Sequence, residues 1–221
     1  MRGITHTLLE GIDFPNAPIV EIGCGGGAFL GELKAHYPTR QAIGLDLNPV
    51  ALAHTKQAVT ASVMQANLHH LPLASEQCGA IIGLDVFDQQ GVDLLAALRE
   101  SQRVLQPGGI LLLRVSAYDW LRGPHDVAFG TGRRYSASEV TDTLRAAGLE
   151  LLRLTYANSL LLLPAILVRL AQQGGHTAVQ AQLNTPPLLN TLFKAMLQSE
   201  AHWLRHASLP AGLSLYALAR K

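Results

Sequence analysis

Charge is scarce in this chain: Asp, Glu, Lys and Arg make up 15% of 221 residues, with 17 basic side chains against 16 acidic ones. So even a balance offers no basic footprint for nucleic acid. Cysteine is scarcer still. Cys24 and Cys78 are the only two, which form neither a disulfide framework nor a metal motif and suit a reducing, cytoplasmic setting. Long apolar runs are missing as well: no window reaches about eighteen uninterrupted apolar residues, so no membrane span is expected. The opening MRGITHTLLEGIDF is broken by Glu10 and Asp13, so a signal peptide is not expected either. What the chain does have is apolar bulk, 48% of its residues. That suffices for one α/β domain with a full core and is too little for two sizeable ones.

The stretch from Ile19 to Leu33, IVEIGCGGGAFLGEL, organises the rest. Ile19 to Ile22 is a short β-branched apolar run bounded by Pro18 and Gly23, which predicts a buried parallel strand. Phe29, Leu30 and Leu33 then fall at helical spacing. Between them lie Gly23, Gly25, Gly26 and Gly27. Glycine admits positive φ and close approach of a ligand to the main chain, so a strand, glycine loop and helix present free N–H groups to a nucleotide-like molecule. Gly23, Gly25 and Ala28 also satisfy the looser dinucleotide pattern. Glu21 decides against it, because a carboxylate there sits badly beside a pyrophosphate and well beside a cation.

Glu21-Ile-Gly23-Cys-Gly25-Gly-Gly27 resembles motif I of the class I S-adenosylmethionine (SAM)-dependent methyltransferases, of the type 11/12-like kind. Two further stretches carry the resemblance: the acid Asp46 at the end of a second strand, 23 positions after Gly23, and RVLQPGGILLLRV at 103–115. It implies a Rossmann-like, doubly wound α/β sheet of seven strands with the last antiparallel, SAM as cofactor and a small-molecule acceptor. One domain over 1–221 is expected, with a helical insertion at 157–210 between strands six and seven.

The family's roles carry over residue by residue. Gly23, Cys24, Gly25 and Gly27 would approach the methionine end of the cofactor, with Glu21 near its ammonium. Asp46 would hold the ribose, and Leu47, Asn67 and Leu68 the adenine. Asn67 stands where the family has an acid. Asp85, at the end of the apolar strand Gly79 to Leu84, would face both cofactor and acceptor. The histidine usual a few residues later is replaced by Gln89 and Gln90, which leaves Asp85, His125 and Asp126 as candidate catalytic residues. Nothing in the sequence identifies the acceptor, lipid-like or aromatic being open, or the oligomeric state. A SAM-binding protein without transferase activity and a nicotinamide-dependent oxidoreductase remain alternatives.

The remaining segments read as follows. Ile4, Leu8 and Leu9 predict a first helix. Residues 91–105 predict an amphipathic helix stopped by Gln106-Pro107-Gly108-Gly109. Residues 117–135 read as an irregular acceptor loop, and Ser136 with Glu139 as a capping box. Leu160 to Leu170, LLLLPAILVRL, is too short to span a bilayer. A buried core helix is the first expectation for it; an apolar lid, a membrane-surface patch or a dimer contact are the alternatives. A second helix is expected around Leu188 to Leu204. His202 and His206 have metal-ligand spacing but no third ligand, and no metal is expected.

Overall fold

The computed structural model describes residues 2–173 and 196–221. Seven strands form one sheet in the order β3-β2-β1-β4-β5-β7-β6. β1 (Ile19–Ile22), β2 (Ala42–Asp46), β3 (Ser62–Gln65), β4 (Cys78–Leu84) and β5 (Leu105–Ser116) run parallel. β7 (Ser214–Arg220) is antiparallel to both β5 and β6 (Glu150–Ala157). The chain winds outward from β1 to β3 and then returns to build from β4 in the other direction. The crevice between β1 and β4 is therefore a topological switch point, the place where open α/β sheets bind ligands beyond their strand ends.

The central strands β1, β2, β4, β5 and β7 are mostly apolar because both faces are covered, whereas the edge strands β3 and β6 are partly exposed. Val20, Ile22, Ile81, Leu111 and Leu113 belong to one core layer. Ile19, Ile82, Ile110 and Leu112 belong to the other, with Ile4 and Leu8 of α1 (Arg2–Leu9) and Phe29 and Leu33 of α2 (Ala28–His36). Each of these side chains is at most 5% exposed. Against such surroundings the acidic Glu21, 4% exposed on β1, stands out.

Helix starts follow their caps. Asn48 accepts from Val50 N–H and Ala51 N–H at the head of α3 (Pro49–Ala58), and Asp93 accepts from Ala96 N–H at the head of α4 (Leu94–Val104). The expected box at Ser136 is present: Ser136 and Glu139 bond reciprocally to open α6 (Ala137–Ala146), which follows the five-residue α5 (Pro124–Ala128).

Three expectations are corrected. The segment Gln106 to Gly109 is no free turn but the irregular start of β5, which begins directly at Leu105 with a register shift opposite Cys78 and Ala80. Residues 117–135 are less irregular than read, holding a 3₁₀ turn at Asp119–Leu121 as well as α5. The apolar insertion helix, α7 (Leu162–Gln173), is not buried: Leu163, Leu167 and Leu170 are 58–64% exposed. Composition signals burial only when a neighbouring layer exists to cover the element, and the sheet's two faces are already occupied. The second expected helix is present over 196–203, while its portion from 188 to 195 lies outside the described residues.

Candidate functional site

The glycine loop leaves β1 at the switch point and enters α2. Gly23 and Gly27 adopt φ of 72° and 76°. Neither position has room for a side chain: a Cβ on Gly23 would lie 2.9 Å from Val86, and one on Gly27 would lie 2.5 Å from the Thr55 methyl. Thr55, fully buried on α3, also donates from its hydroxyl to the Gly25 carbonyl at 2.6 Å. The loop is thus clamped from below by α3. That leaves its upper surface to a ligand.

Glu21 lies directly beneath this loop. The backbone N–H of Leu30, in the first turn of α2, is the one influence that pulls the carboxyl back toward its ionised form. Its Oε2 is buried and has no hydrogen-bond partner among the described residues. Burial first, then the charges of Asp46 and Glu32, push its pKa up to about 8. A buried, half-satisfied carboxylate of this kind is a site for a cation, since pairing with positive charge relieves the desolvation cost.

Asp46, at the end of β2, accepts from Gly25 N–H on Oδ2 and from Asn48 N–H on Oδ1, each at 2.8 Å. The same carboxylate therefore ties the glycine loop to the second strand and retains lone pairs at the surface. Leu47 beside it is 65% exposed, an uncovered apolar shelf. Asn67 is turned inward on itself, its side-chain carbonyl accepting from His69 N–H at 2.9 Å. Leu68 packs partly buried against the core. Cys24 is buried under the loop, and burial followed by the charges of Glu21 and Asp46 raises its thiol to about 12. Burial likewise lifts Cys78 to about 11. Because the thiolate is the reactive form, both cysteines are expected to react with a disulfide reagent at pH 8 only on unfolding. Titration of native and denatured protein checks this, and rapid native labelling of Cys24 would refute the loop geometry.

On the β4 side, Asp85 stands at the strand end with a φ of 56°, which few non-glycine residues adopt. Arg114 of β5 grips it by two bonds, with Nε 2.6 Å from Oδ1. Arg114 also donates to the Tyr216 hydroxyl at 3.2 Å. Asp126, 1% exposed, accepts from Arg134 Nε at 2.8 Å and from Gly123 N–H at 2.7 Å. Arg134 in turn holds the Ala117 carbonyl at 3.0 Å. His125 is exposed and stacks on Phe129 with ring centres 4.4 Å apart. The three candidate catalytic residues thus share one edge of the sheet, but only His125 has an uncommitted side chain. His202 and His206 pack edge to face at 5.8 Å.

Sequence reasoning passed over several residues that shape this edge. Asp88, 1% exposed, accepts from Ser116 N–H at 2.7 Å, while its Oδ1 is buried without a partner among the described residues. Burial holds its pKa above the usual carboxylate value. Its carbonyl receives N–H groups from Gly132 and Arg133, so Asp88 knits the end of β4 to the loop after α5. Tyr118, with φ of 60°, stacks on Tyr156 at 5.3 Å and neighbours Trp120 at 6.0 Å. In the sequence, Asp88 lies three residues after Asp85 at the same strand end, the signal that could have found it. An open concavity of about 560 Å³ bordered by Phe14, Arg40 and Arg220 lies at the opposite, amino-terminal edge of the sheet and takes no part in this constellation.

The sheet order and the glycine loop over a buried carboxylate define the class: the fold is that of class I SAM-dependent methyltransferases. Residues 20–113 match the family model described as a methyltransferase domain. Over 117 residues it is 33% identical to a malonyl-[acyl-carrier protein] O-methyltransferase of Dechloromonas aromatica, covering 51% of this chain and 42% of that one. The chain spans less than half the length of the curated relatives it matches first. Among solved structures, a SAM-dependent methyltransferase from Mesorhizobium loti superposes with a TM-score of 0.66 at 14% identity, over 100% of this chain and 98% of that one. A phosphoethanolamine N-methyltransferase of Haemonchus contortus, solved with SAM, superposes with a TM-score of 0.64 at 12% identity over 99% and 52%. These likenesses concern the fold. The donor set fits SAM as cofactor: an orphaned carboxylate for positive charge, and a glycine loop pinned at Gly23 and Gly27 with open space over Gly25 and Gly26.

Proposed function

We propose that the chain transfers a methyl group from SAM to a small acceptor with an apolar body. The observation that carries this reading is the orphaned Oε2 of Glu21 under the glycine loop, a feature a phosphate-binding loop would not tolerate. In the proposed complex, Glu21 compensates the positive charge of the methionine end, and the loop around Gly23, Cys24, Gly25 and Gly27 presents its main chain. Asp46 accepts from the ribose hydroxyls, while Leu47, Asn67 and Leu68 enclose the adenine.

The bound cofactor supplies an activated methyl on a sulfonium. The chain's part is alignment and exclusion of water, and positioning alone can contribute on the order of 7–11 kcal/mol. No acid is needed at sulfur. A proton leaving the acceptor falls to His125 in this reading, since Asp85 and Asp126 are each held by an arginine and serve to position the edge. The relatives are named for a carboxylate-bearing acceptor. Here Arg133 and Arg134 are paired with Glu139 and Asp126, which favours the aromatic shelf of Tyr118, Tyr156 and Trp120 as the acceptor's main contact.

Calorimetry with S-adenosylhomocysteine and NADH tests the reading, with the first expected to bind and the second not. Asp46→Ala is expected to weaken the nucleoside at least 10-fold, because each hydrogen bond to a charged group contributes roughly 1.5–3 kcal/mol. Unchanged affinity would take Asp46 out of the ribose site. Binding of NADH in place of the nucleoside would favour the oxidoreductase alternative. Tight SAM binding with no turnover on any acceptor, malonyl thioesters included, would favour a binding protein without transferase activity.

A further inference from the structure

α7 presents an apolar face that nothing among the described residues covers. Leu160, Leu163, Leu167 and Leu170 are 50%, 64%, 59% and 58% exposed. Their spacing of three, four and three places them on one side of a helix. Isolated exposed leucines are ordinary, whereas a row of them is not.

The face is held in a defined place. Glu200, 5% exposed, accepts from Asn158 N–H at 2.7 Å and from Leu160 N–H at 3.0 Å. This double bond of one carboxylate to the chain entering α7 fixes the 196–203 helix against its head. Trp203 lies one turn beyond Glu200 and is 58% exposed. At the other side α7 packs on the turn Asp119–Leu121, which carries Trp120, 56% exposed. The chain's two tryptophans are thus both exposed on segments that adjoin α7 or the chain leading into it.

Charge and position say what the face is for. From 157 to 173 Arg169 is the only charged residue. Arg122 follows Trp120, and Arg205 follows Trp203 and makes a loose 3.4 Å pair with Glu10. Of the neighbouring acids, Glu200 is spent on backbone amides and Asp119 is exposed. Leucines flanked by tryptophans and arginines, with few acids, make the composition of an interfacial helix that lies in the headgroup region. At a lipid surface the indole ring sits in the apolar layer while its N–H stays hydrated, and exposed arginines with few free acids suit anionic headgroups.

We propose that the leucine face of α7, with Trp120 and Trp203, docks on a lipid bilayer surface. α7 starts at the carboxyl end of β6 and the Trp120 turn follows the carboxyl end of β5, the same edge as the glycine loop. The docked edge would then receive an acceptor dissolved in the bilayer; that use, unlike the docking, rests on the methyl-transfer reading.

Both tryptophans report on the proposed contact directly. Vesicles of phosphatidylcholine with phosphatidylglycerol are added to the full chain, and emission is followed with and without brominated acyl chains. The expected result is a shift to shorter wavelength, quenching by the brominated lipid and flotation with the vesicles. The surface variant Leu163→Gln/Leu167→Gln should lower vesicle partitioning by about tenfold while melting and S-adenosylhomocysteine affinity stay unchanged. Emission that ignores vesicles overturns the proposal. So does emission already at short wavelength and shielded from iodide before lipid is added, whether the cover is this chain or, as sedimentation would show, a second copy. Vesicle binding by protein that takes up no S-adenosylhomocysteine would sustain the docking and remove the methyl-transfer reading alone.

Discussion

Glu21→Gln is expected to weaken S-adenosylmethionine binding by about 10- to 100-fold at pH 8, the loss of one charge-assisted contact to a buried partner. It is also expected to flatten the pH dependence of binding. In the free protein, burial raises this carboxyl to about 8, so at pH 6 it is protonated. A cation placed above the loop favours the carboxylate, so binding releases a proton below pH 8 and affinity climbs with pH by up to tenfold per unit, levelling near 8. The glutamine variant has nothing to release. Calorimetry in buffers of differing ionisation enthalpy counts the protons directly, and a wild-type count of zero at pH 6.5 would refute the cation role.

Stability of the free protein should move the opposite way. A carboxyl whose folded value lies above its unfolded one contributes fully below the unfolded value, and that contribution is lost as pH rises through the folded one. The window here runs from about 4.5 to about 8. Glu21→Gln therefore gains stability relative to wild type across that range while losing cofactor affinity, a pairing that a purely structural residue would not show.

Asp126→Ala is expected to cost about 3 kcal/mol of stability, since it strands Arg134 in a mostly buried position and frees Gly123 N–H. For a domain of this size that is a melting decrease of roughly 10 °C. Asp126→Asn keeps the cap to Gly123 and should lose less. Differential scanning calorimetry of the two variants checks the order. Equal melting temperatures for Asp126→Ala and wild type would show that the pair contributes no net stability and that Asp126 is available for other work.

Asp126 also shows where sequence reading stops. His125 and Asp126 were legible as candidates within the loop at 117–135 that follows a strand. That Asp126 meets Arg134, and Arg133 meets Glu139 instead, depends on how a five-residue helix and the following loop fold back over Ala117. No periodicity encodes it. Asp85 is a similar case: its place at a strand end was readable, whereas its grip by Arg114, 29 residues later, required strand pairing between β4 and β5.

The succession of strands and helices along the chain, the glycine bend with Glu21 and Asp46 at its flanks, and the capped helices were determined by the sequence itself, because local spacing and backbone preference act within a few residues. The sheet edge where Asp88, Tyr118, Tyr156 and α7 come together was decided only by the tertiary structure. Those residues lie on segments far apart in the chain, and their burial or exposure depends on which layers remain to cover them. The mostly apolar run at 160–170 would bury itself wherever a free face existed; with both faces of the sheet filled, Leu163, Leu167 and Leu170 stay in contact with solvent.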